Sequence, residues 1–456
     1  MIRSWLASIV LVACGGPSGD DGTAPDDQAD SDADTDTGTT GTGATVAATC
    51  SPTAHSLVFS CEVTLDAPGP ASITVTAAGA PSHTYRSRTS QLVHEVLIWG
   101  LRAETTYDWD AGDGFTGQVE SGSLPEAVER ASVTASGQLF GTDAVLVRGK
   151  CGYFLMVDGD GEIVWFQEDD LFSDLSDGMR WVQEERALLV TRDAAFSDDA
   201  PVVRRTDLVG DETLRLEDAD LALKATHDLD AWHGLVYVLG HTGQWGIGGF
   251  EVFDGPTKIG QWMLSDEFSG TADLGEIHVN SLSVSDDGEV VLSLWNRDTI
   301  VVVDGDPASP TFLQTLWHAQ GNPGVGDPLP NPDFVPAQGQ GQLYVGQHNP
   351  TRVGSDELWV FDNRSTLLRS RALRMRLDTQ AGTMTEVESW YMDQSCPFQG
   401  GAIAIPGGAL VTCATTDGVN AFRFGAGSNP DWRMRATCGG GFPGSSMTRA
   451  YPVTIE

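Results

Sequence analysis

The strongest constraint on the fold is an internal repeat that begins near residue 130. Each unit contains two or three short apolar strands, a turn with Gly or Asp-Gly, and usually an aromatic residue near its end. Units of about 53 residues have the size of a four-stranded propeller blade with its loops. The sequence therefore predicts an all-β protein whose residues 130–456 form a six-bladed β-propeller. The units close near Trp165, Leu216, Trp262, Trp317, Trp390 and Trp432.

The fourth unit contains the clearest hairpin signal, the dipeptide Asp287-Gly288 between two alternating strands. This dipeptide tolerates the positive φ angles of a two-residue type I′ turn. With that loop, His278 is expected opposite Arg297, and Asn280 opposite Trp295, on one face of the hairpin. The hairpin would thus collect an imidazole, an amide and a guanidinium at its open end.

Three consecutive units begin their inner hairpin with a histidine: His227, His278 and His348. Each histidine precedes the first turn of its hairpin by several residues, so all three are expected at the opposite end of the hairpin. In a propeller these ends surround one mouth of the central channel, where ligands converge. The sequence therefore predicts a shared site, although a single histidine at a strand end is often only a hydrogen-bonded rim residue.

Two chemistries fit three histidines around one mouth. Three imidazoles with an open position form a known catalytic zinc arrangement. Arg297, however, would repel a cation in the same space. Together with Arg297 and Asn280, the histidines instead indicate an oxyanion site in which one imidazole is free to act as a nucleophile.

The motifs around these histidines resemble the bacterial aryl-sulfate sulfotransferase family. The resemblance runs from about residue 130 to the C-terminus, and it implies a six-bladed propeller behind a small N-terminal β-domain in the periplasm. It also implies transfer of a sulfuryl group from a phenolic sulfate ester to a phenol through a sulfohistidine, with neither a cofactor nor a nucleotide sulfate donor. The matching motifs are His227-Asp228, His278-x-Asn280-Ser281 followed by Arg297, and Gln347-His348 followed by Phe361-Asp362-Asn363.

The resemblance also implies roles for individual residues. By motif position His348 is the nucleophile. The residues His227, His278 and Arg297 would hold the sulfuryl oxygens or protonate the leaving phenolate, and Asn280 would bind substrate. Sulfuryl transfer, like phosphoryl transfer, needs positioning and charge stabilisation more than covalent help from the protein. Two other functions stay open at this stage: a propeller that binds a ligand or partner without chemistry, and a metal-dependent hydrolase that uses the histidines.

The preceding segment, residues 49–126, predicts a small β-sandwich. Short alternating runs are separated there by Pro and Gly, and Leu101, Thr105 and Tyr107 are spaced as in the tyrosine corner of fibronectin type III-like domains. This similarity concerns the fold and assigns no function to the segment.

The N-terminus indicates a lipid-anchored protein of the bacterial cell envelope. Residues 1–14 combine Arg3, an apolar run and the tetrapeptide Leu11-Val12-Ala13-Cys14, which resembles a lipobox. Such a signal is cleaved before the cysteine, which then carries the lipid. We therefore predict that Cys14 anchors the chain on the periplasmic side or at the outer-membrane surface. Residues 15–48 lack Lys and Arg and predict a disordered acidic linker.

Charge and cysteine content narrow the partners further. The formal net charge of −38 argues against nucleic acid or an anionic membrane surface as a partner, because phosphate contacts need clustered Lys and Arg. The expected partners are small aryl sulfates and phenols, with membrane contact through the lipid only. Six cysteines remain after Cys14, an even number that suits an oxidising compartment. The candidate pairs are Cys50 with Cys61, Cys396 with Cys413, and Cys151 with Cys438.

Overall fold

The structure of the chain is a computed structural model. It describes residues 43–149, 152–171, 178–192, 200–242, 247–269, 274, 277–324, 329–364, 369–393, 395–396, 399–415, 418–438 and 449–456. Among these residues no helix has the length and apolar character that crossing a bilayer requires. The predicted lipid-attachment residue Cys14, and Cys151 of the third cysteine pair, lie outside the described residues.

The N-terminal domain is a β-sandwich of seven strands, which are β1 (Thr45–Pro52), β2 (Phe59–Gly69), β3 (Ser72–Thr76), β4 (His83–Arg86), β5 (Gln91–Ile98), β6 (Thr106–Asp110) and β7 (Thr116–Glu120). They form two antiparallel sheets, ordered β1-β2-β5 and β4-β3-β6-β7. Alternation of buried and exposed residues gives each sheet one inward face, as in β2, where Phe59, Cys61 and Val63 are buried. Tyr107 forms the expected corner, since its hydroxyl accepts a hydrogen bond from the Arg102 N–H at 2.8 Å.

The rest of the chain forms the six-bladed propeller that the repeat predicts. A short helix α1 (Glu126–Glu129) and strand β8 (Ala131–Gly137) lead into it. Blade 1 contains β9 (Ala144–Gly149), β10 (Tyr153–Asp158) and β11 (Ile163–Glu168), and blade 2 contains β12 (Met179–Val182), β13 (Ala187–Arg192), β14 (Val202–Thr206) and β15 (Glu212–Glu217). Blade 3 contains β16 (Lys224–Trp232), β17 (Leu235–His241), β18 (Gly248–Asp254) and β19 (Thr257–Met263), followed by helix α2 (Leu264–Glu267).

The remaining blades follow the same plan. Blade 4 contains β20 (Val279–Val284), β21 (Glu289–Leu294), a 3₁₀ turn (Trp295–Arg297), β22 (Thr299–Asp304) and β23 (Thr315–Gln320). Blade 5 contains β25 (His348–Val353), β26 (Glu357–Asp362), β27 (Arg371–Asp378) and β28 (Thr383–Tyr391), with β24 (Val335–Pro336) on its outer edge. Blade 6 contains β29 (Gly401–Ile405), β30 (Gly408–Thr415), β31 (Gly418–Phe424) and β32 (Trp432–Cys438), and β33 (Ala450–Val453) ends the propeller.

The ring is closed at two places by strands distant in sequence. β33 pairs with β9 and so becomes the innermost strand of blade 1, whereas β8 pairs with β32 on the outer edge of blade 6. The inner strands β33, β12, β16, β20, β25 and β29 contact one another in turn around the central channel. Blade 1 thus receives its inner strand, and blade 6 its outermost strand, from parts of the chain that are distant in sequence.

Two of the predicted cysteine pairs are disulfides in the structure. The Cys50–Cys61 bond joins directly opposed residues of β1 and β2. The Cys396–Cys413 bond ties the segment before blade 6 to β30.

Two sequence-based expectations were wrong in detail. The linker does not extend to residue 48, because β1 begins at Thr45, whose hydroxyl donates a buried hydrogen bond to the Ala111 carbonyl. The hairpin of blade 4 does not use Asp287-Gly288 as a two-residue loop. Gly288 alone has a positive φ, of 78°, and donates to the Ser285 carbonyl, so the loop is a longer turn that ends in a glycine bulge.

Candidate functional site at the mouth of the channel

The inner strands of blades 3, 4 and 5 are each interrupted by a bulge at the same mouth. The strand register shifts between Ala225 and Leu229, between Val279 and Ser281, and between His348 and Thr351. Bulges of this kind re-aim side chains and occur frequently next to active sites. Each interruption lies at or next to one of the histidines that the repeat singles out, which are His227, His278 and His348.

His348 is held in one tautomer by Asn363. The Asn363 amide nitrogen donates to the carbonyls of Cys396 and Gln399, at 2.7 and 2.6 Å, so its Oδ1 faces His348. That oxygen accepts a hydrogen bond from His348 Nδ1, at 2.7 Å. In a neutral imidazole whose Nδ1 carries the hydrogen, Nε2 carries the lone pair.

Burial keeps the His348 imidazole neutral. Desolvation is the largest cause that lowers its pKa from 6.5 to about 3, and the positive charge of Arg449 acts in the same direction. The hydrogen bond to Asn363 opposes this shift without cancelling it. His348 therefore presents a neutral, oriented nitrogen nucleophile over the whole physiological pH range.

His227 and His278 form a second imidazole unit. Their Nε2 atoms are 2.7 Å apart, and the two rings meet edge to face with centroids 4.7 Å apart. The other nitrogen of His227 is 2.5 Å from the Thr226 hydroxyl. Burial, followed by the nearby histidines, lowers the pKa of His278 to about 3. The pair is therefore a short proton-sharing unit rather than two separate rim residues.

Arg297 lies in the 3₁₀ turn after β21, but it is not directly opposite His278. The backbone N–H of Trp295 donates to the His278 carbonyl at 2.9 Å, and the His278 N–H donates to the Asn296 side chain. The difference from the expected register follows from the longer loop at Gly288 and the bulge beside Val279. The structure nevertheless brings Arg297, which is buried, into the turn that His278 contacts.

The same turn is connected to the backbone before His348. Asp298, in the left-handed region at φ 47°, accepts a hydrogen bond from the Gly346 N–H at 2.8 Å. Gly346 also has a positive φ of 57°, and a Cβ atom there would lie 2.9 Å from Trp295 Nε1. A glycine is therefore required two residues before His348, both by backbone angle and by space.

Asn280 supports the segment that carries His348. Its amide nitrogen donates to the Gln347 carbonyl at 2.9 Å, and Ser293 donates to the same oxygen at 3.0 Å. The Gln347 side chain in turn donates to the carbonyls of Leu294 and Thr299. Blade 4 thus fixes Gln347, the residue immediately before His348, by several hydrogen bonds.

Two residues of this site were not among the candidates predicted from the sequence. Asn363 belongs to a motif that was noted, yet it received no role. Arg449 precedes β33 and forms an ion pair with the buried carboxylate of Asp228. No sequence signal pointed to Arg449, because its partner lies 221 residues away. Among the described residues, no group of three or more His, Cys, Asp or Glu side chains is placed to hold a metal ion.

The sequence has no match among protein-family models or curated proteins. Among solved structures it is similar to a protein of unknown function from Bacteroides caccae, with 10% identity, a TM-score of 0.37, and coverage of 72% of this chain and 96% of that one. It is also similar to the periplasmic gluconolactonase of Pseudomonas aeruginosa, with 16% identity, a TM-score of 0.40, and coverage of 69% and 99%. A third similar structure is virginiamycin B lyase from Staphylococcus aureus, with 11% identity, a TM-score of 0.37, and coverage of 67% and 99%.

Proposed function

We propose that the protein is a sulfotransferase that moves a sulfuryl group from a phenolic sulfate ester to a phenol through a sulfohistidine at His348. The observation that carries this proposal is the Asn363–His348 hydrogen bond, which directs the lone pair of a neutral imidazole to Nε2. A neutral, oriented imidazole is nucleophilic without a strong base. The sulfotransferase-like motifs around it give the reaction class.

In the first step, His348 Nε2 attacks the sulfur of the donor ester as the sulfur–oxygen bond to the phenol breaks. In this proposal the negative charge of the bound sulfate ester opposes the effect of burial, so that the His227–His278 pair takes up one extra proton and shares it between Nε2 atoms 2.7 Å apart. The leaving phenolate takes this proton, and the pair returns to its neutral form. In the second step, an acceptor phenol returns its proton to the pair and attacks the sulfur. The sulfur–nitrogen bond then breaks, which releases the new sulfate ester and restores His348.

The other residues of the mouth receive supporting roles in this proposal. Arg297 supplies a forked donor for the sulfuryl oxygens, whose charge is spread over three atoms in the transition state. Asn280 acts as a positioning residue through the Gln347 carbonyl, because its amide nitrogen is committed to that oxygen.

The test is turnover of a chromogenic aryl sulfate with a series of phenol acceptors. We expect phenol-dependent release of the chromophore, and an acid-labile sulfuryl adduct on the peptide that contains His348 after rapid quenching. The variant His348→Ala should show neither signal. If the wild-type protein shows no turnover and no adduct, or if the His348→Ala variant retains both, the proposal is wrong.

We also propose that the enzyme is a lipoprotein of the cell envelope, attached through Cys14. The supporting observation is the tetrapeptide Leu11-Val12-Ala13-Cys14 ahead of an acidic segment without Lys or Arg. Metabolic labelling with a radioactive fatty acid should mark the wild-type protein but not a Cys14→Ala variant. Equal labelling of both proteins would contradict lipid attachment at this residue.

A further inference from the structure

Two arginine–aspartate pairs lie in the channel, and both aspartates belong to β16. Arg180 Nε is 2.8 Å from an oxygen of Asp230, and Arg449 pairs with Asp228. Both carboxylates are fully or almost fully buried. The two pairs therefore have similar chemistry and similar burial at the aspartate, but they differ in what surrounds the guanidinium.

Arg449 reaches across the channel. It immediately precedes the inner strand of blade 1, whereas Asp228 belongs to blade 3, and blade 2 stands between them in the ring. Its stem passes Gly401 of blade 6, where an added Cβ atom would lie 3.7 Å from the Arg449 Cγ. The guanidinium is thus held within the channel, between the blades that carry the histidines and the blades that do not.

Asp228 orients Arg449 without neutralising it completely. Besides the arginine, its carboxylate accepts backbone hydrogen bonds from Leu229 at 3.0 Å and from Leu282 at 2.6 Å. The negative charge is therefore divided among three donors. Arg449 keeps 13% of its side chain exposed, while Asp228 is 0% exposed, so the cation can meet a ligand and the carboxylate cannot.

The charge of Arg449 acts on the nucleophile. After desolvation, it is the strongest cause that lowers the pKa of His348. The Arg180 guanidinium lies over the ring of Tyr451, 5.1 Å from its centroid, and Arg449 also interacts with the Tyr451 side chain, so Tyr451 lies beside both arginines. Both guanidiniums are partly exposed, Arg180 at 28% of its side chain and Arg449 at 13%, but of the two it is the charge of Arg449 that acts on His348.

We infer that Arg449 is a substrate-binding residue that contacts an anionic oxygen of a sulfate monoester, and that Asp228 is the positioning residue that fixes it. The inference rests on the proposed function for the choice of ligand. Arg449 would bind the sulfuryl group from inside the channel, and Arg297 would bind it from the turn of blade 4. Two guanidiniums would then share the charge that three sulfuryl oxygens carry.

The experiment measures binding without chemistry. In a His348→Ala background, the affinities for 4-nitrophenyl sulfate and for inorganic sulfate are determined by calorimetry. Arg449→Lys is expected to weaken binding of both anions by about tenfold or more, because the forked donor is lost. The matched control Arg180→Lys, which alters the other pair on β16, should change either affinity by less than about threefold.

A second variant distinguishes a loss of anion binding from misfolding. Arg449→Met combined with Asp228→Asn removes both charges together, so no isolated carboxylate remains buried, and it should also weaken anion binding by at least about tenfold. Equal weakening by Arg449→Lys and Arg180→Lys, or no weakening by either Arg449 variant, would overturn the inference. Arg449-dependent anion binding in a protein that performs no sulfuryl transfer would refute the proposed reaction but support the binding role.

Discussion

Two buried histidines of this protein differ in what their ring nitrogens contact, and only one of them lies at the candidate site. His55 lies between the sandwich and blade 1, where its ring stacks on Trp165 with centroids 5.9 Å apart. Its Nε2 donates to the Phe166 carbonyl at 2.7 Å, and its Nδ1 accepts from the Leu57 N–H at 3.1 Å. His348 instead has its Nδ1 bound to the side chain of Asn363, so that the lone pair of the neutral ring lies on Nε2.

The pKa values do not separate the two residues, because desolvation is the largest cause that lowers the pKa of each. The hydrogen-bond pattern does separate them. In His55 both nitrogens serve the backbone and join two domains. In His348 a side-chain amide selects the tautomer, and two further imidazoles lie at the same mouth. A buried neutral histidine therefore indicates chemistry only when one nitrogen is oriented and the other is left for a ligand.

The most direct test of this comparison replaces each histidine by alanine. His348→Ala should lower kcat for aryl-sulfate turnover by at least about 10⁴-fold, because the proposed nucleophile is lost. His55→Ala should leave kcat unchanged but lower the free energy of unfolding by about 1–3 kcal/mol, because Leu57 and Phe166 lose a buried partner. Steady-state kinetics and urea unfolding measure the two effects. Similar losses of kcat in both variants would show that the contrast is false.

The second test removes only the orientation of His348. Asn363→Ala should lower kcat by about 10²-fold with little change in KM, because the imidazole loses the acceptor that fixes its tautomer. Nitrogen NMR of the labelled histidine should show a mixture of tautomers in the variant and a single tautomer in the wild type. Asn420→Ala, on β31 of blade 6, is the matched control. A normal kcat in Asn363→Ala would mean that His348 is oriented by other contacts.

The third test compares the two disulfides. Replacing Cys396 and Cys413 by Ser should lower the free energy of unfolding by about 3 kcal/mol and also lower kcat severalfold. The kinetic effect is expected because the Cys396 carbonyl anchors Asn363. Replacing Cys50 and Cys61, which join two sandwich strands, should lower stability without changing kcat. Unfolding curves and initial rates at a temperature where both variants are folded distinguish these outcomes.

The smallest expected effect concerns pH. The pKa of His348 is about 3 in the folded protein and 6.5 when exposed, so protons bind the unfolded chain preferentially between these values. The free energy of unfolding should therefore fall as pH decreases from 6.5 to 5, and His348 should contribute about 2 kcal/mol of that loss. A His348→Gln variant should lose correspondingly less stability over this interval in urea titrations. Parallel curves for the two proteins would contradict the depressed pKa.

The repeat made the architecture predictable, because each unit is a complete strand pattern with its own turn and terminal aromatic residue. The histidines were also accessible to sequence reasoning, since their equivalent positions in three units imply one mouth. The register in blade 4 was not, because Asp287-Gly288 fits two loop types and the positive φ at Gly288 alone selects the longer one.

Contacts between residues that are distant in sequence could not be predicted either. Arg449 meets Asp228 only after six blades close into a ring, and local patterns carry no information about that pairing. Asn363 stood in a recognised motif, but its role depends on two backbone carbonyls near the start of blade 6. The histidines at the channel mouth were therefore easier to predict from the sequence than the residues that contact and orient them.

The double closure of the ring has a consequence for the order of assembly. Blades 2 to 5 are made of consecutive strands and can form as the chain is synthesised, but the inner edge of blade 1 stays open until β33 arrives. The last strand also brings Arg449 to Asp228. A chain shortened before β33 would therefore combine an exposed strand edge with an incomplete channel. The channel is therefore complete only after the last strand has paired. A peptide corresponding to residues 449–456 can be used to test whether the missing strand restores a shortened chain.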